Sequence, residues 1–388
     1  MDYAQLTSHQ AMLRDEVRTE AFRKAIEKTV KTGDVVLDVG SGTGILSLFA
    51  AKAGAKRVYA VEQSATSAMG AHLAELNGFS DIIVPLQGDI RAVQIPEKVD
   101  VIVSEWMGTV GVDENMYGAV LWARDHHLKD GGTVIPQRVP AHLAPVATSI
   151  RTDTAFFHTK PYGMDLAPLG EQMVNDLLMT RYVMHRADLA APAREIWVSD
   201  AKKDTADDVR TPYAAAVEFA ISKDHPVTAL GAWFSADLAP GVTLSNAPDA
   251  PATHWGQLVL PCPQRLELKK GDKLKAEILA QAVDPGPLQM MWSVAVGDTP
   301  GQAQDTMGGQ LIAQHLPEPD PADTSPPELS KLGKFLAKLS SDAELYVTYL
   351  SDPDKTMETA GLSKSQKEAL QSGAPELIHA ATYREASS

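Results

Sequence analysis

The 388-residue chain is nearly free of cysteine, has no long apolar run and is short of positive charge. Cys262 is its only cysteine, so no intrachain disulfide can form and no multi-cysteine zinc site can be built. No apolar stretch approaches the ~20 residues needed to span a bilayer, and Met1-Asp2-Tyr3-Ala4-Gln5 lacks the apolar core of a secretory signal. A cytoplasmic protein without membrane association is therefore expected. Lys and Arg number 35 against 50 Asp and Glu, a net charge of −15. That deficit argues against a nucleic-acid binder, which needs a basic face to displace counterions from phosphates. It suits a cationic substrate or partner, and equally solubility alone.

What is present is ordinary globular material: 44% hydrophobic and 22% charged residues. At roughly 150 residues per domain the length corresponds to about two or three domains. Met12, Leu13, Val17, Phe22, Ile26 and Val30 punctuate charged positions and predict one helix over 9–30. Short apolar runs then alternate with helical periodicity. Val35–Val39, Val58–Glu62, Ile82–Val84 and Val99–Val103 read as strands; Leu46–Ala53 and Ser64–Asn77 read as helices stopped by Gly54 and Gly78. This alternation predicts an α/β domain with a parallel sheet covered on both faces, over 34–135.

Beyond about residue 133 the pattern becomes mostly antiparallel β. Leu230, Ala232, Phe234, Ala236 and Leu238 alternate as in a half-buried strand; Leu266–Val283 reads as a hairpin about Lys269–Asp272; Met290–Val296 is another strand. A helical insert is expected at Gly170–Met179 within this 136–297 domain. Residues 298–327 hold six prolines, five acids and no Lys or Arg, which predicts a solvated linker carrying a third of the net charge. Leu332, Phe335, Leu336 and Leu339 then share a helical face, Pro353 suits a first turn, Ser363 and Gln366 form a capping box, and Gly361 and Gly373 are stops. A small helical domain is expected at 328–383.

Two constellations carry chemistry. Asp38-Val39-Gly40-Ser41-Gly42-Thr43-Gly44 follows the first strand and opens a helix, where glycines permit a sharp turn and close ligand approach. Ligands of open α/β sheets sit at such strand ends. Glu62 ends the next strand, where a carboxylate can accept both hydroxyls of a ribose. The spacing differs from the dinucleotide fingerprint and looks like the S-adenosylmethionine site of class I methyltransferases; a structural glycine turn or a nucleotide site of another kind is the alternative. The second constellation is Ser104-Glu105-Trp106-Met107-Gly108 with Glu114 nine residues after Glu105, a candidate two-pronged acidic clamp. Downstream stands Thr253-His254-Trp255, and upstream Met12-Leu13-Arg14-Asp15-Glu16-Val17-Arg18-Thr19.

Together these segments resemble the protein arginine methyltransferases over roughly residues 1–297, including Tyr162-Gly163-Met164-Asp165 in the insert. The resemblance implies a methyltransferase Rossmann-like sheet, an N-terminal helical segment (1–33) covering the cofactor, a β-barrel-like substrate domain, and a helical arm near 155–185 that clasps a second subunit in a homodimer. It implies S-adenosylmethionine as cofactor, an arginine-containing protein or peptide as substrate, and no metal. Glu105 and Glu114 would grip the guanidinium, whose planar fork of donors matches paired carboxylates. His254 and Asp15 would carry away the proton lost after transfer. Met12, Arg18, Asp38, Gly40, Gly42, Gly44, Glu62, Gly88 and Glu105 would surround the cofactor, with Arg18 also orienting Glu105; Tyr3, Met107, Met116 and Trp255 would shape the substrate pocket.

Gly108-Thr109-Val110-Gly111-Val112-Asp113 departs from the family, which places aromatics between the two glutamates; a wider acceptor pocket is expected. Arg91 stands where an acid is usual beside adenine, with Asp89 as a substitute. Two rival readings follow: a methyltransferase on the same scaffold acting on a modified peptide or small molecule, and a non-catalytic binding protein.

Overall fold

The computed structural model describes residues 6–148, 155–170, 183–205, 208–209, 212–281, 289–297 and 302–305, and in the C-terminal part 331–332, 334–335, 338, 349 and 353–372. The chain divides into two compact units, Met1–His315 and Leu316–Ser388.

In the first unit, strands β1 (Val35–Val39), β2 (Arg57–Glu62), β3 (Ile83–Gln87), β4 (Val99–Val103) and β5 (Leu128–Ile135) form a parallel sheet. Its order is β3-β2-β1-β4-β5. Every residue of β1 is buried, as expected of a central strand covered on both faces. The chain leaves β1 toward β3 and returns to the other side as β4, so the order reverses between β1 and β4. Ligands of open α/β sheets bind at that switch point, outside the carboxyl ends of the strands. Here the glycine loop follows β1 and Glu105 follows β4. The Ser104 hydroxyl donates to the Val39 carbonyl at 2.6 Å and pins the two strand ends together.

Helices α1 (Leu6–Arg14) and α2 (Glu16–Thr29) replace the single helix expected over 9–30. The break is Asp15, whose backbone leaves the helical region (φ −75°, ψ 88°) and whose carboxylate accepts the Arg18 N–H as an N-cap. An apolar repeat running through the break cannot reveal it. Helices α3 (Ile45–Lys52), α4 (Thr66–Leu76) and α5 (Tyr117–His127) complete this part.

The rest of the unit is antiparallel. Strands β6 (Arg138–Val146), β7 (Arg194–Asp200), β8 (Tyr213–Ala220), β9 (His225–Ala239), β10 (Val242–Ser245), β11 (Leu258–Leu268), β12 (Lys273–Gln281), β13 (Gln289–Val296) and β14 (Gln302–Asp305) make two sheets. One has the order β10-β9-β6-β7, with β11 also paired to β9; the other has the order β14-β13-β12-β8.

Three sequence expectations change here. Leu266–Leu268 pairs with β9 while Lys273–Gln281 pairs with β8 and β13, so the expected hairpin is a crossing between sheets. The Lys269–Asp272 turn is tied to the β8–β9 connection instead: Gly271 N–H bonds Ile221 O, and Asp224 accepts the Lys270 N–H. Residues 302–305, expected as linker, form an edge strand on β13; this proline-free stretch has all its N–H groups available for pairing. Strand β9 is buried on both faces from Val227 to Phe234, because its second face carries Ala229 and Gly231 against Val146, Met184 and Val259. The expected helix at 170–179 lies outside the described residues beyond Gly170; before it come a short helix at Ala155–His158 and a 3-10 turn at Pro161–Gly163.

In the second unit, Leu332, Phe335, Met357 and Leu362 form a buried cluster, and helices span Pro353–Thr359 and Lys364–Ser372. The capping box is present: Ser363 N–H donates to Gln366 Oε1 and Gln366 N–H to Ser363 Oγ. Gly361 takes a positive φ of 69° after the first helix. Leu336, Leu339 and Gly373 lie outside the described residues. Among the described residues no helix is long and apolar enough to cross a membrane.

A Cβ at Gly231 would stand 2.5 Å from Met184 Sδ and 3.1 Å from Val146 Cγ1. Gly231→Val overpacks this cluster and is expected to destabilise the fold by about 1–3 kcal/mol, read as a lowered urea midpoint. An unchanged midpoint would show that Met184 can move aside freely.

Candidate functional site

A cavity of about 390 Å³ opens at the β1/β4 switch point. One wall is the glycine loop. Gly40, Gly42 and Gly44 all take positive φ (72°, 54°, 83°), and a Cβ at Gly42 would lie 2.8 Å from His9 Cε1. Gly40 and Gly42 line the cavity. Gly44 does not; it caps α3 and packs against Gly70 of α4. Glu62 lines the cavity while its two oxygens accept the Gly42 and Ser64 N–H groups at 2.9 and 2.8 Å. A carboxylate has about four lone-pair sites, so Glu62 fixes the loop and keeps acceptor capacity for a ligand.

Asp38 stands behind the cavity wall rather than on it. It is fully buried beneath the loop, bonded by Ser47 Oγ at 2.6 Å, and is absent from the cavity wall, because its position on β1 points it under α3. Burial pushes its carboxyl up to about 7 against the opposing hydrogen bonds from Ser47.

The opposite end is built from three distant segments. Arg18 on α2 reaches Glu105 after β4, with Nε and Nη2 both donating to Oε2 at 2.9 and 2.8 Å; the two side chains are 7% and 8% exposed. The other Glu105 oxygen accepts the Met107 N–H. Arg18 Nη1 is buried with no hydrogen-bond partner. Such a donor is costly unless a ligand satisfies it, and a ligand carboxylate is the matching group. Asp15 accepts the His254 N–H and bonds His254 Nδ1, both at 2.8 Å. Burial raises the Asp15 carboxyl, but the bonds from His254 and the Arg18 N–H outweigh it and hold the pKa low. An ionised carboxylate cannot donate, so His254 Nδ1 is the donor, which in the neutral ring leaves Nε2 as the acceptor.

Met12, Arg18, Glu62, Gly88, Glu105, Glu114, Met116, His254 and Trp255 are thus brought to one cavity with Gly40 and Gly42. Met107 is not on its wall: the side chain is buried in the core, and its contribution is a backbone pair that holds Glu105 and accepts Trp255 Nε1–H at 2.8 Å. Tyr3 lies outside the described residues. The loop between the glutamates turns inward. Val110 and Val112 are buried, and the Asp113 carboxylate accepts the Thr109 and Val110 N–H groups; residues 106–113 do not line the cavity.

Sequence reasoning missed His9, which lines the cavity over Gly42 from α1; a lone histidine at a helix start gives no signal. It also missed Asn246, which bridges the loops behind the site. Arg91 lines the cavity, and Asp89 accepts from its backbone N–H and from Gln63 Nε2.

The Asp38 carboxyl ionises near 3.8 when unfolded and near 7 in the fold. The native state therefore holds a proton that the unfolded chain loses, and stability falls as pH rises across that window. Asp38→Asn removes this contribution. Its urea midpoint is expected to gain on that of the unaltered chain between pH 4 and pH 7; parallel profiles would contradict the assignment.

Residues 19–113 match the family model described as ribosomal protein L11 methyltransferase, and residues 141–287 that of the arginine methyltransferase oligomerization subdomain. The chain is 35% identical over 279 residues to protein arginine N-methyltransferase 1.1 of Arabidopsis thaliana, covering 70% of each. It is 35% identical over 280 residues to protein arginine N-methyltransferase 1 of Saccharomyces cerevisiae, covering 70% of this chain and 79% of that one. Among solved structures it resembles the Trypanosoma brucei PRMT1 enzyme–prozyme heterotetrameric complex with AdoHcy. The TM-score is 0.71 at 27% identity, covering 79% of this chain and 99% of that one.

Proposed function

The chain belongs to the protein arginine N-methyltransferase family, and on that premise we propose that it methylates a guanidino nitrogen of an arginine-containing protein or peptide held by Glu105 and Glu114. The observation that carries this reading is that both glutamates, Arg18 and His254 line one cavity, with Arg18 paired to Glu105.

The residues present fit S-adenosylmethionine. Arg18 Nη1 faces the need for a carboxylate, Glu62 keeps acceptor capacity for ribose hydroxyls, and Gly40 and Gly42 let a ligand approach the backbone. When bound, that cofactor supplies a methyl group activated by a sulfonium. Glu105, held by Arg18 and the Met107 N–H, accepts guanidinium N–H groups in one orientation; Glu114 accepts from a second nitrogen. Their charge concentrates the cation's density on the nitrogen left facing the cofactor side, and positioning supplies most of the rate. The nitrogen that gains the methyl sheds a proton, and His254 Nε2 takes it while Asp15 steadies the imidazolium. Residues 34–135 would hold the cofactor and supply both glutamates, and 136–297 would complete the acceptor site with His254 and Trp255.

The arm near 155–185 would clasp a second copy. Tyr162 and Met164 are 89% and 63% exposed, and they fall within the matched oligomerization subdomain. A cytoplasmic site of action belongs to the same reading.

Incubation with radiolabelled S-adenosylmethionine and arginine-rich peptides, followed by hydrolysis, is expected to yield methylarginines. Label on lysine or on a small molecule alone would overturn the arginine assignment. Glu105→Gln and Glu114→Gln are each expected to lower kcat by about 10²-fold or more, with a much smaller loss of cofactor affinity.

A further inference from the structure

Behind the cavity, Asn246 occupies the short stretch after β10 and is 2% exposed. Its orientation is settled by its partners. The Phe234 N–H on β9 donates to Oδ1 at 2.8 Å, so the amide nitrogen must face the other way. There it donates to the Thr109 carbonyl at 2.8 Å and to the Gly256 carbonyl at 2.6 Å. Both amide hydrogens are used and both accepting groups are backbone. The backbone of Asn246 is held in turn, because Gln257 Nε2 donates to its carbonyl and the Met184 N–H donates to Gln257 Oε1.

The two carbonyls belong to the two loops that meet at the acceptor end. Thr109 lies between Glu105 and Glu114; Gly256 follows His254-Trp255. The Thr109 peptide is gripped on both sides, its N–H by Asp113 and its carbonyl by Asn246. A second tie runs in parallel, Trp255 Nε1–H to Met107 O. Asn246 itself does not line the cavity.

We propose that Asn246 is a positioning residue that sets the register between the glutamate-bearing loop and the His254 loop, and so places the guanidinium clamp against the proton acceptor. The inference rests on the function proposed above for those loops. A displacement of about 1 Å between reacting groups costs on the order of 10²-fold in rate, so one amide bonded to both loops is enough to matter.

Asn246→Asp is the decisive variant. It keeps the shape and the acceptor for Phe234 N–H, and replaces the donor with an oxygen facing two carbonyls. The expected result is a fall in kcat of about ten- to a hundredfold, with the cofactor Kd within about twofold, since the glycine loop and Glu62 are not touched. Hydrogen exchange should quicken in peptides covering 105–114 and 253–257 and stay unchanged in 38–46. Protonating the new carboxyl restores one donor, so the variant-to-native ratio of kcat should rise as pH is lowered. Unchanged kcat and unchanged exchange would overturn the inference. So would parallel losses of kcat, cofactor binding and melting temperature, the mark of a merely structural residue. If the native chain methylates no arginine, the proposed function falls while the exchange readout still decides this inference. Should Asn246→Asp not fold, Asn246→Ser retains one donor and is read in the same way, with an intermediate effect expected.

Discussion

The end of the cavity around Arg18, Glu105 and His254 depends on one buried carboxylate. Asp15 interrupts the N-terminal helix, caps the second helix through the Arg18 N–H, and receives both the backbone and the ring of His254. A charge taken out of water is tolerated only when its lone pairs are met by donors, and three donors meet this one. The cap places Arg18 one turn onward, where its guanidinium meets Glu105. From Glu105 the chain of contacts runs through the Met107 backbone to Trp255 and back to His254. Removing any member leaves a neighbouring polar group buried without its partner.

The two ends of the cavity are built by different physics. The glycine loop is local: strand, turn and helix follow one another, and Glu62 closes the loop across twenty residues. The acceptor end is assembled from segments separated by 239 residues for Asp15 and His254, and 148 for Met107 and Trp255. The antiparallel sheets supply that assembly. Strand β9 presents Phe234 both to Asn246 and, edge-on at 5.1 Å, to the Trp255 ring, so the THW loop rests on a strand buried on both faces.

Local signals were the legible ones. The order of strands and helices around the glycine loop, the position of Glu62 and the strand-end Glu105 follow from periodicity and punctuation within short windows. The family resemblance added His254, Asp15 and Arg18, which no window joins. Periodicity could not show a break inside an apolar repeat, as at Asp15, nor which sheet receives a strand, as at Lys269–Asp272. Composition labelled 302–305 as linker, although four proline-free residues beside a free sheet edge suffice to pair. Asp38, Gly44 and Met107 stand close to the cavity in sequence yet support it from behind, a distinction set by which way each backbone faces. Asn246 is one polar residue in a polar stretch, and its meaning lies entirely in what it touches.

The cavity wall carries three carboxylates, Glu62, Glu105 and Glu114, against the guanidinium groups of Arg18 and Arg91. This imbalance bears on any charged ligand that enters the cavity. A sulfonium donor bears a positive charge that its spent thioether does not, while the methylated guanidinium remains cationic. Carboxylates in excess attract a cation more than a neutral molecule, so the wall can tell a sulfonium donor from its neutral by-product by charge alone.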